Sequence, residues 1–453
     1  MQDGILDWKH QTNLNILAMM DVSKSWRVGI AKFDDLFRHI ALNTSDGQTI
    51  VTASRILQMT ETRSTGLEVF IKGAFRDLVG NAKLQVMAKE LLRRLRLQSG
   101  RFISFEIRSP TSHIGSYFNL PAPKLHFLRC YHTMSPAIFS SSFPNLRTLH
   151  VYVDKVLRIP PAALSNLAEL RLENLCRTQW FSVESVLTLL RDTNRLEVLQ
   201  LAGFTRFGYA STVVGPVELT NLKSAQFMNC DLPELLSRLR LPQLCEFNFR
   251  GFNSTPDENT PPSMAGNTDF FSSLRACPLP ILDQQVLTHV FVSMDNKGDK
   301  IEFTMRLMSG LLGPKYQFVI TMVWEKWESW EERLERSIRG AMERVRFSPG
   351  VCLYIFHHID YNWVPYSPLL HLPLISTLCT AGYFTPVALK LLINSSPTSH
   401  LPLPRLKCFC FKGDDPQVPA EGIQSLINHC LQSRFDKGQP LAIRRWVPSG
   451  NKT

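Results

Sequence analysis

The chain of 453 residues carries 50 basic against 39 acidic side chains, a net charge of +11 with a pI near 9.2, and is 44% apolar and 20% charged. That apolar share argues against a disordered chain. The ten cysteines, unevenly spaced and without a CxxC, argue against a secreted disulfide framework. Residues 1–10, with Asp3 and Asp7, hold no signal-peptide core, and no stretch of eighteen apolar residues occurs, so a cytoplasmic or nuclear protein with no membrane partner is expected.

Residues 12–42 begin with an amphipathic pattern, Leu14, Leu17, Met20 and Val22. The run Val22-Ser23-Lys24-Ser25-Trp26-Arg27 is followed after nine residues by Leu36-Phe37-Arg38-His39-Ile40. From the residues alone this predicts two short helices with a tryptophan between them. The phrases resemble the second half of an F-box, in which Val-Ser/Cys-x-x-Trp-Arg precedes Leu-Trp-x-x-Ile, with Phe37 standing where the family usually has its second tryptophan. The resemblance implies docking to a Skp-type adaptor through residues 12–42, with Val22, Trp26, Leu36, Phe37 and Ile40 as the box residues and Trp26 in the module's core. Residues 1–11 have no counterpart of the Leu-Pro-x-Glu phrase that opens the family's first helix. The box is therefore N-terminally incomplete, and the chain is expected to bind the adaptor weakly or not at all without an added upstream helix.

Residues 46–101 read as a link and N-terminal cap: a helix over Ile50 to Met59, a strand over Gly66 to Ile71, and a basic amphipathic helix over residues 83–97 with Leu84, Met87, Ala88, Leu91, Leu92 and Leu95 on one stripe.

Residues 102–252 repeat one phrase: apolar, two others, apolar, one other, apolar. It returns as Phe102/Phe105/Ile107, Leu125/Leu128/Cys130, Leu146/Leu149/Val151, Leu167/Leu170/Leu172, Leu196/Leu199/Leu201, Leu222/Ala225/Phe227 and Leu244/Phe247/Phe249, at intervals of 23, 21, 21, 29, 26 and 22 residues. The last two apolar positions, two apart, place both side chains on one face of a short strand. Lead-ins of the type Pro-x-Leu or Asn-x-Leu recur, as in Pro123-Lys124-Leu125 and Asn194-Arg195-Leu196. Between Leu172 and Leu196 the return is helical, with Ser182 as its cap. One such unit buries three side chains worth roughly 1.5 to 3 kcal/mol each, less than the roughly 1 to 2 kcal/mol per residue that ordering its backbone costs. Stacked neighbours must supply the remainder. The expected fold is α/β, a leucine-rich-repeat solenoid with parallel strands on its concave face and helices and turns on its convex face, plus the small N-terminal helical segment. The order of parts is similar to that of fungal F-box/leucine-rich-repeat proteins.

Residues 253–269, rich in proline and lacking apolar periodicity, predict a loop or disordered insertion. Residues 270–453 predict irregular repeats and a C-terminal cap: strand-like phrases Leu287/Val290/Val292, Ile301/Phe303/Met305, Phe318/Ile320/Met322 and Cys352/Tyr354/Phe356, a regular final phrase Leu406/Phe409/Phe411, a helix over residues 324–344 bearing Trp324, Trp327 and Trp330, a helix over residues 419–435 and a strand over residues 441–446.

The chemistry of catalysis is not in view. Residues 310–315 have neither the spacing nor the Ser/Thr of a phosphate-binding loop. His357, His358 and Asp360 lack a completing ligand cluster, and Cys408 and Cys410 read as neighbours on the outward face of one strand. No enzyme, cofactor or metal is expected. What remains is a surface: between the buried positions the concave face presents Glu106, Arg129, His150, Arg171, Gln200, Gln226 and Asn248, flanked by Phe127, Tyr131, Thr148, Tyr152, Glu169, Glu173, Met228, Glu246 and Arg250. Its mixed signs suit a protein substrate and make nucleic acid an unexpected partner. With the family resemblance, this implies the substrate-recognition subunit of a Skp/cullin/F-box ubiquitin ligase; the alternative is a stand-alone leucine-rich-repeat scaffold with no ligase link.

Overall fold

The structure, a computed structural model, describes residues 3–30, 32–73, 81–108, 120–131, 143–153, 159, 161–174, 181–204, 207–208, 215–230, 233–252, 279, 285–297, 300–310, 316–325, 345–357, 374–382, 384–393, 403–412 and 420–446. The chain forms two compact units, residues 1–222 and 223–453. Each is α/β and carries a large, mostly parallel sheet.

In the first unit, α1 (Asp3–Val22), α2 (Lys24–Ile30) and a 3-10 turn (Asp34–Phe37) lead into β1 (His39–Asn43). Then follow α3 (Gly47–Thr60), β2 (Leu67–Lys72), α4 (Ala82–Leu97), β3 (Phe102–Arg108), β4 (Phe127–Tyr131), β5 (Thr148–Val153), α5 (Pro161–Leu164) and β6 (Glu169–Asn174). A two-residue strand β7 (Phe181–Ser182), α6 (Val183–Arg191), β8 (Val198–Ala202), and the two-residue strands β9 (Phe207–Gly208) and β10 (Val217–Glu218) complete it. Strands β1, β2, β3, β4, β5, β6 and β8 lie side by side in chain order, every pair parallel. The helices begin where the residues allow it: the Asp46 carboxylate accepts from the backbone N–H of Gln48 and Thr49, the Asn81 amide oxygen from Leu84, and the Ser182 hydroxyl from Ser185.

All three apolar positions of all seven phrases are buried. Their register is the one the period implies: Phe105, Leu128, Leu149, Leu170 and Leu199 are successive partners, as are Ile107, Cys130, Val151, Leu172 and Leu201. The lead-ins are turns that recur. The N–H of Leu125, Leu146, Leu167, Leu196 and Leu222 each donates to the carbonyl three residues back. The amides of Asn145, Asn166 and Asn221 donate to the carbonyls of Pro123, Pro144 and Asn194, at 2.6, 2.8 and 2.8 Å, tying each turn to the one before it. Beyond β8, Gly203 takes φ +77°, and a Cβ there would stand 2.4 Å from the Asn174 carbonyl oxygen, so only glycine lets the end of β6 approach.

Of the two short helices expected with a tryptophan between them, none forms after the tryptophan around Ile40, and Trp26 itself lies within α2. Residues 34–37 make one 3-10 turn, and Ile40 lies in β1 opposite Val69 of β2. The run Ile40-Ala41-Leu42 is wholly buried, and an apolar run of this kind is satisfied in a parallel strand covered on both faces.

In the second unit, β11 (Ser224–Met228), α7 (Pro233–Ser237), a two-residue strand β12 (Leu239–Arg240) and β13 (Glu246–Phe252) are followed by the long strands β14 (Val286–Lys297), β15 (Lys300–Met308), β16 (Gln317–Glu325) and β17 (Arg346–His357). The chain ends with β18 (Ile375–Gly382), α8 (Phe384–Ile393), β19 (Cys408–Lys412), α9 (Ala420–Asp436) and β20 (Ala442–Trp446). The sheet order is β11-β13-β16-β15-β14-β17-β18-β19-β20. Here the structure departs from the expected run of parallel repeats: β15 is antiparallel to both β14 and β16, and Lys297 pairs with Lys300 where β14 turns back into β15. A second departure is parity in β17. Val351, Leu353 and Ile355 are the buried residues, and Cys352, Tyr354 and Phe356 face the other way. Trp324 belongs to strand β16, and the remainder of the tryptophan-bearing helix, residues 326–344, lies outside the described residues, as do residues 253–269, His358 and Asp360.

Leu170 is fully buried between Leu149 and Leu199. Leu170→Ala is expected to lower the stability of the first unit by about 2 to 5 kcal/mol, measured as the shift of its urea unfolding transition; a loss below about 0.5 kcal/mol, the range of exposed-site changes, would contradict the stacked column.

Candidate interaction surface

Because side chains alternate across a strand, burying the phrase residues sends the intervening ones to the opposite face. In the first unit the register sets them in rows. Glu106, Arg129, His150, Arg171 and Gln200 are successive partners on β3, β4, β5, β6 and β8. Arg108, Tyr131, Tyr152, Glu173 and Ala202 sit in the next row, with Tyr131 opposite Arg108 and Tyr152 opposite Glu173. Tyr131 is placed by its backbone; its side chain lies outside the described residues.

The charges of this face lie down on it. Glu106 is 12% exposed and Arg129 17%, while Arg171 reaches out to 47%. Glu106 Oε1 accepts from Arg108 Nε at 2.8 Å and stands 3.6 Å from Arg129 Nη1. Arg129 Nη2 donates to the Tyr152 hydroxyl at 3.4 Å. Glu169, from the row on the other side, meets both Arg171, through Nε, and His150, whose Nε2 stands 3.4 Å away. The ring of Phe127 abuts His150 edge-on, centroids 5.2 Å apart, and the Arg108 guanidinium lies over Phe70 at 5.1 Å. Of these, Arg108 and Phe70 are not among the residues expected from sequence, although the alternation that picked Glu106 points two residues further to Arg108.

Burial, and then the cation of Arg171, hold His150 far below its ordinary range, to about 4, against the opposing pull of Glu169. His150 is therefore a neutral hydrogen-bonding group at neutral pH.

In the second unit Gln226 and Asn248 are partners, and Ser224, Gln226, Glu246, Asn248, Gln317 and Val319 rim a hollow of about 200 Å³. Arg250 Nη2 pairs with Glu302 Oε2 at 3.1 Å. The same row runs on through Arg306, Phe291 and Tyr354, with the last two rings stacked 4.3 Å apart. Sequence reasoning missed this aromatic pair because it turned Tyr354 inward. Burial pushes the Tyr354 hydroxyl up to about 12.

The box residues divide into two groups. Phe37 and Ile40 are fully buried, Phe37 with the Arg63 guanidinium 4.4 Å over its ring. Val22, Trp26 and Leu36 are exposed, Val22 at 71% and Trp26 at 54%. Trp26 thus does not fill a core. Helix α2 has seven residues and buries only Ile30, so the indole has nothing to sit under. Met19, Val28 and Phe33, in the same stretch of chain, are exposed as well. Among the described residues no helix is long and apolar enough to cross a membrane.

Since the folded pKa of His150 lies below its unfolded value of about 6.5, the unfolded chain takes up this proton first as pH falls. The stability His150 contributes is complete above about pH 6.5 and is lost as pH falls toward 4. A histidine NMR titration, with the His150 signal assigned by its disappearance in His150→Gln, is expected to give a midpoint near 4; a midpoint near 6.5 would contradict the buried, cation-flanked placement.

Compared with known proteins, the chain matches no family model and no curated protein sequence.

Proposed function

We propose that the chain is a non-catalytic protein-interaction adaptor: a leucine-rich-repeat solenoid whose charged sheet face binds a protein substrate, with the N-terminal helical segment docking to a Skp-type adaptor as in the F-box substrate receptors it resembles. The observation that carries the first part is the pairing on the face of β3 to β6. Arg108 and Arg129 share Glu106, and Arg171 shares Glu169 with His150. A face so neutralised has little uncommitted positive charge for phosphates and offers shape, hydrogen bonds and a charge pattern, which is what a protein partner reads. For the second part, the support is the exposure of the apolar residues Val22, Trp26, Val28, Phe33 and Leu36 within one short stretch of chain.

One observation favours the stand-alone scaffold as the second reading. Phe37 and Ile40, box residues by resemblance, are built into the 3-10 turn and first strand of the sheet, so on this reading the segment is a cap of the repeats and not a docking element.

Calorimetric titration of the full chain with a purified Skp-type adaptor separates the two. The proposal expects weak, saturable binding that is lost in Trp26→Asp, an exposed substitution that leaves the circular dichroism spectrum unchanged. Absence of binding both by the wild type and by the chain with an F-box first helix added upstream would remove the ligase link and leave the scaffold; binding indifferent to Trp26→Asp would place the docking surface elsewhere.

A further inference from the structure

The hollow of the second unit is built by two neighbouring rows of its sheet face. Ser224, Glu246 and Gln317 are partners in one row of β11, β13 and β16, and Gln226, Asn248 and Val319 in the next. Ser224 and Val319 are short and stand at opposite corners, and the longer Gln226, Glu246 and Gln317 rise around them, which leaves the space of about 200 Å³. That volume takes one side chain; sites for whole small ligands run to roughly 300 to 1,000 Å³. Ser224, Gln226 and Gln317 are half-buried in its walls, and Val319 lies at its base, 6% exposed. Among the described residues none of its five polar side chains, those of Ser224, Gln226, Glu246, Asn248 and Gln317, makes a hydrogen bond or ion pair. The first unit's Glu106 and Glu169, by contrast, are each shared between basic groups. Glu246 is the one ionised group lining the hollow. Two cations stand outside the lining: Arg250, paired with Glu302 at 3.1 Å, and Arg306, on the next strand opposite Val319.

We propose that this hollow receives an arginine side chain of the protein partner. The inference rests on the reading of the sheet face as a protein-binding surface and adds what that surface selects. An uncommitted carboxylate beside uncharged amides calls for a cation. The lining spreads its acceptors around a rim: the Glu246 carboxylate, the amide oxygens of Gln226, Asn248 and Gln317, and the Ser224 hydroxyl. A guanidinium matches that spread, because its N–H donors fan out in one plane and it has no acceptor of its own. A lysine ammonium is a compact point charge; it would meet Glu246 and leave most of the rim unmatched. The methylene stem of the arginine lies against Val319, keeping its apolar length out of water while the head is held at the rim.

The test titrates the full chain with N-acetyl-arginine methylamide, which carries the side chain without charged termini, and follows binding by ligand-observed NMR. Saturable binding in the millimolar range is expected, as for one anchor without the rest of its partner. The citrulline counterpart, of the same shape with a neutral urea in place of the guanidinium, and the lysine counterpart are each expected to bind about threefold more weakly or worse. Glu246→Gln, at an exposed position, is expected to lower affinity for the arginine probe by about three- to fivefold, the range of an exposed ion pair, and to remove its preference over citrulline. Val319→Met, which fills the base, is expected to abolish binding, and Glu218→Gln, outside the hollow, to leave it unchanged. Thermal unfolding identifies any variant that fails to fold, and Glu246→Gln decides if Val319→Met does. No saturable binding by wild type, equal affinity for the arginine probe and either counterpart, or full affinity in folded Glu246→Gln would overturn the arginine site, while the adaptor reading stands or falls by its own titration.

Discussion

The parallel register of β3 to β8 is the constraint on which the first unit's surface depends. Stacking Leu149, Leu170 and Leu199 in one buried column leaves no choice about the other face: Arg129, His150 and Arg171 must stand on three consecutive strands. Three cations in such a row would repel by roughly 3 kcal/mol per adjacent pair at an effective dielectric of about 20. The chain avoids this in two ways. Glu106 occupies the next place in the row and Glu169 the next row over, each shared between two basic groups, and the middle residue is a histidine that gives up its proton. A lysine or arginine in place of His150 would have no such release.

The second unit keeps the same two-faced logic through a change of strand direction. Its row from Gln226 through Asn248, Val319, Arg306 and Phe291 to Tyr354, Cys379, Cys410 and Arg444 crosses two antiparallel pairings without losing register. Antiparallel pairing needs only a tight turn, here at Lys297 and Lys300, where a parallel repeat needs a return segment. That explains why β14 and β15 are long and closely joined. The face it builds is chemically different, with stacked rings and thiols in place of paired charges.

Much of this was legible in the sequence because the repeat phrase couples two signals, a period near twenty-two residues and an alternation of two. Leu149 and Leu170 each have a polar neighbour on either side, and Leu199 has Gln200 after it, so the inward face was marked along the row. In β17 the alternation fails as a guide: Val351, Leu353 and Ile355 are as apolar as Cys352, Tyr354 and Phe356, and only pairing with Val290 and Val292 decides which set is buried. The same limit hid the pairing of Cys379 with Cys410, which depends on the register of β18 and β19 alone. Around Ile40 a helical spacing of apolar residues was overridden by the open edge of β2, which took the segment as its neighbouring strand.

The arginines of the first unit's open face are paired with carboxylates, and we propose that this face is therefore no groove for polyanions. Titrating labelled RNA at low and high salt against wild type and the double variant Arg129→Ala/Arg171→Ala tests it directly. Weak binding that falls steeply with salt and is the same in both proteins is the predicted result, with the residual affinity residing in the basic helix α4 and its Arg93, Arg94 and Arg96. Tight binding that collapses in the double variant would contradict it.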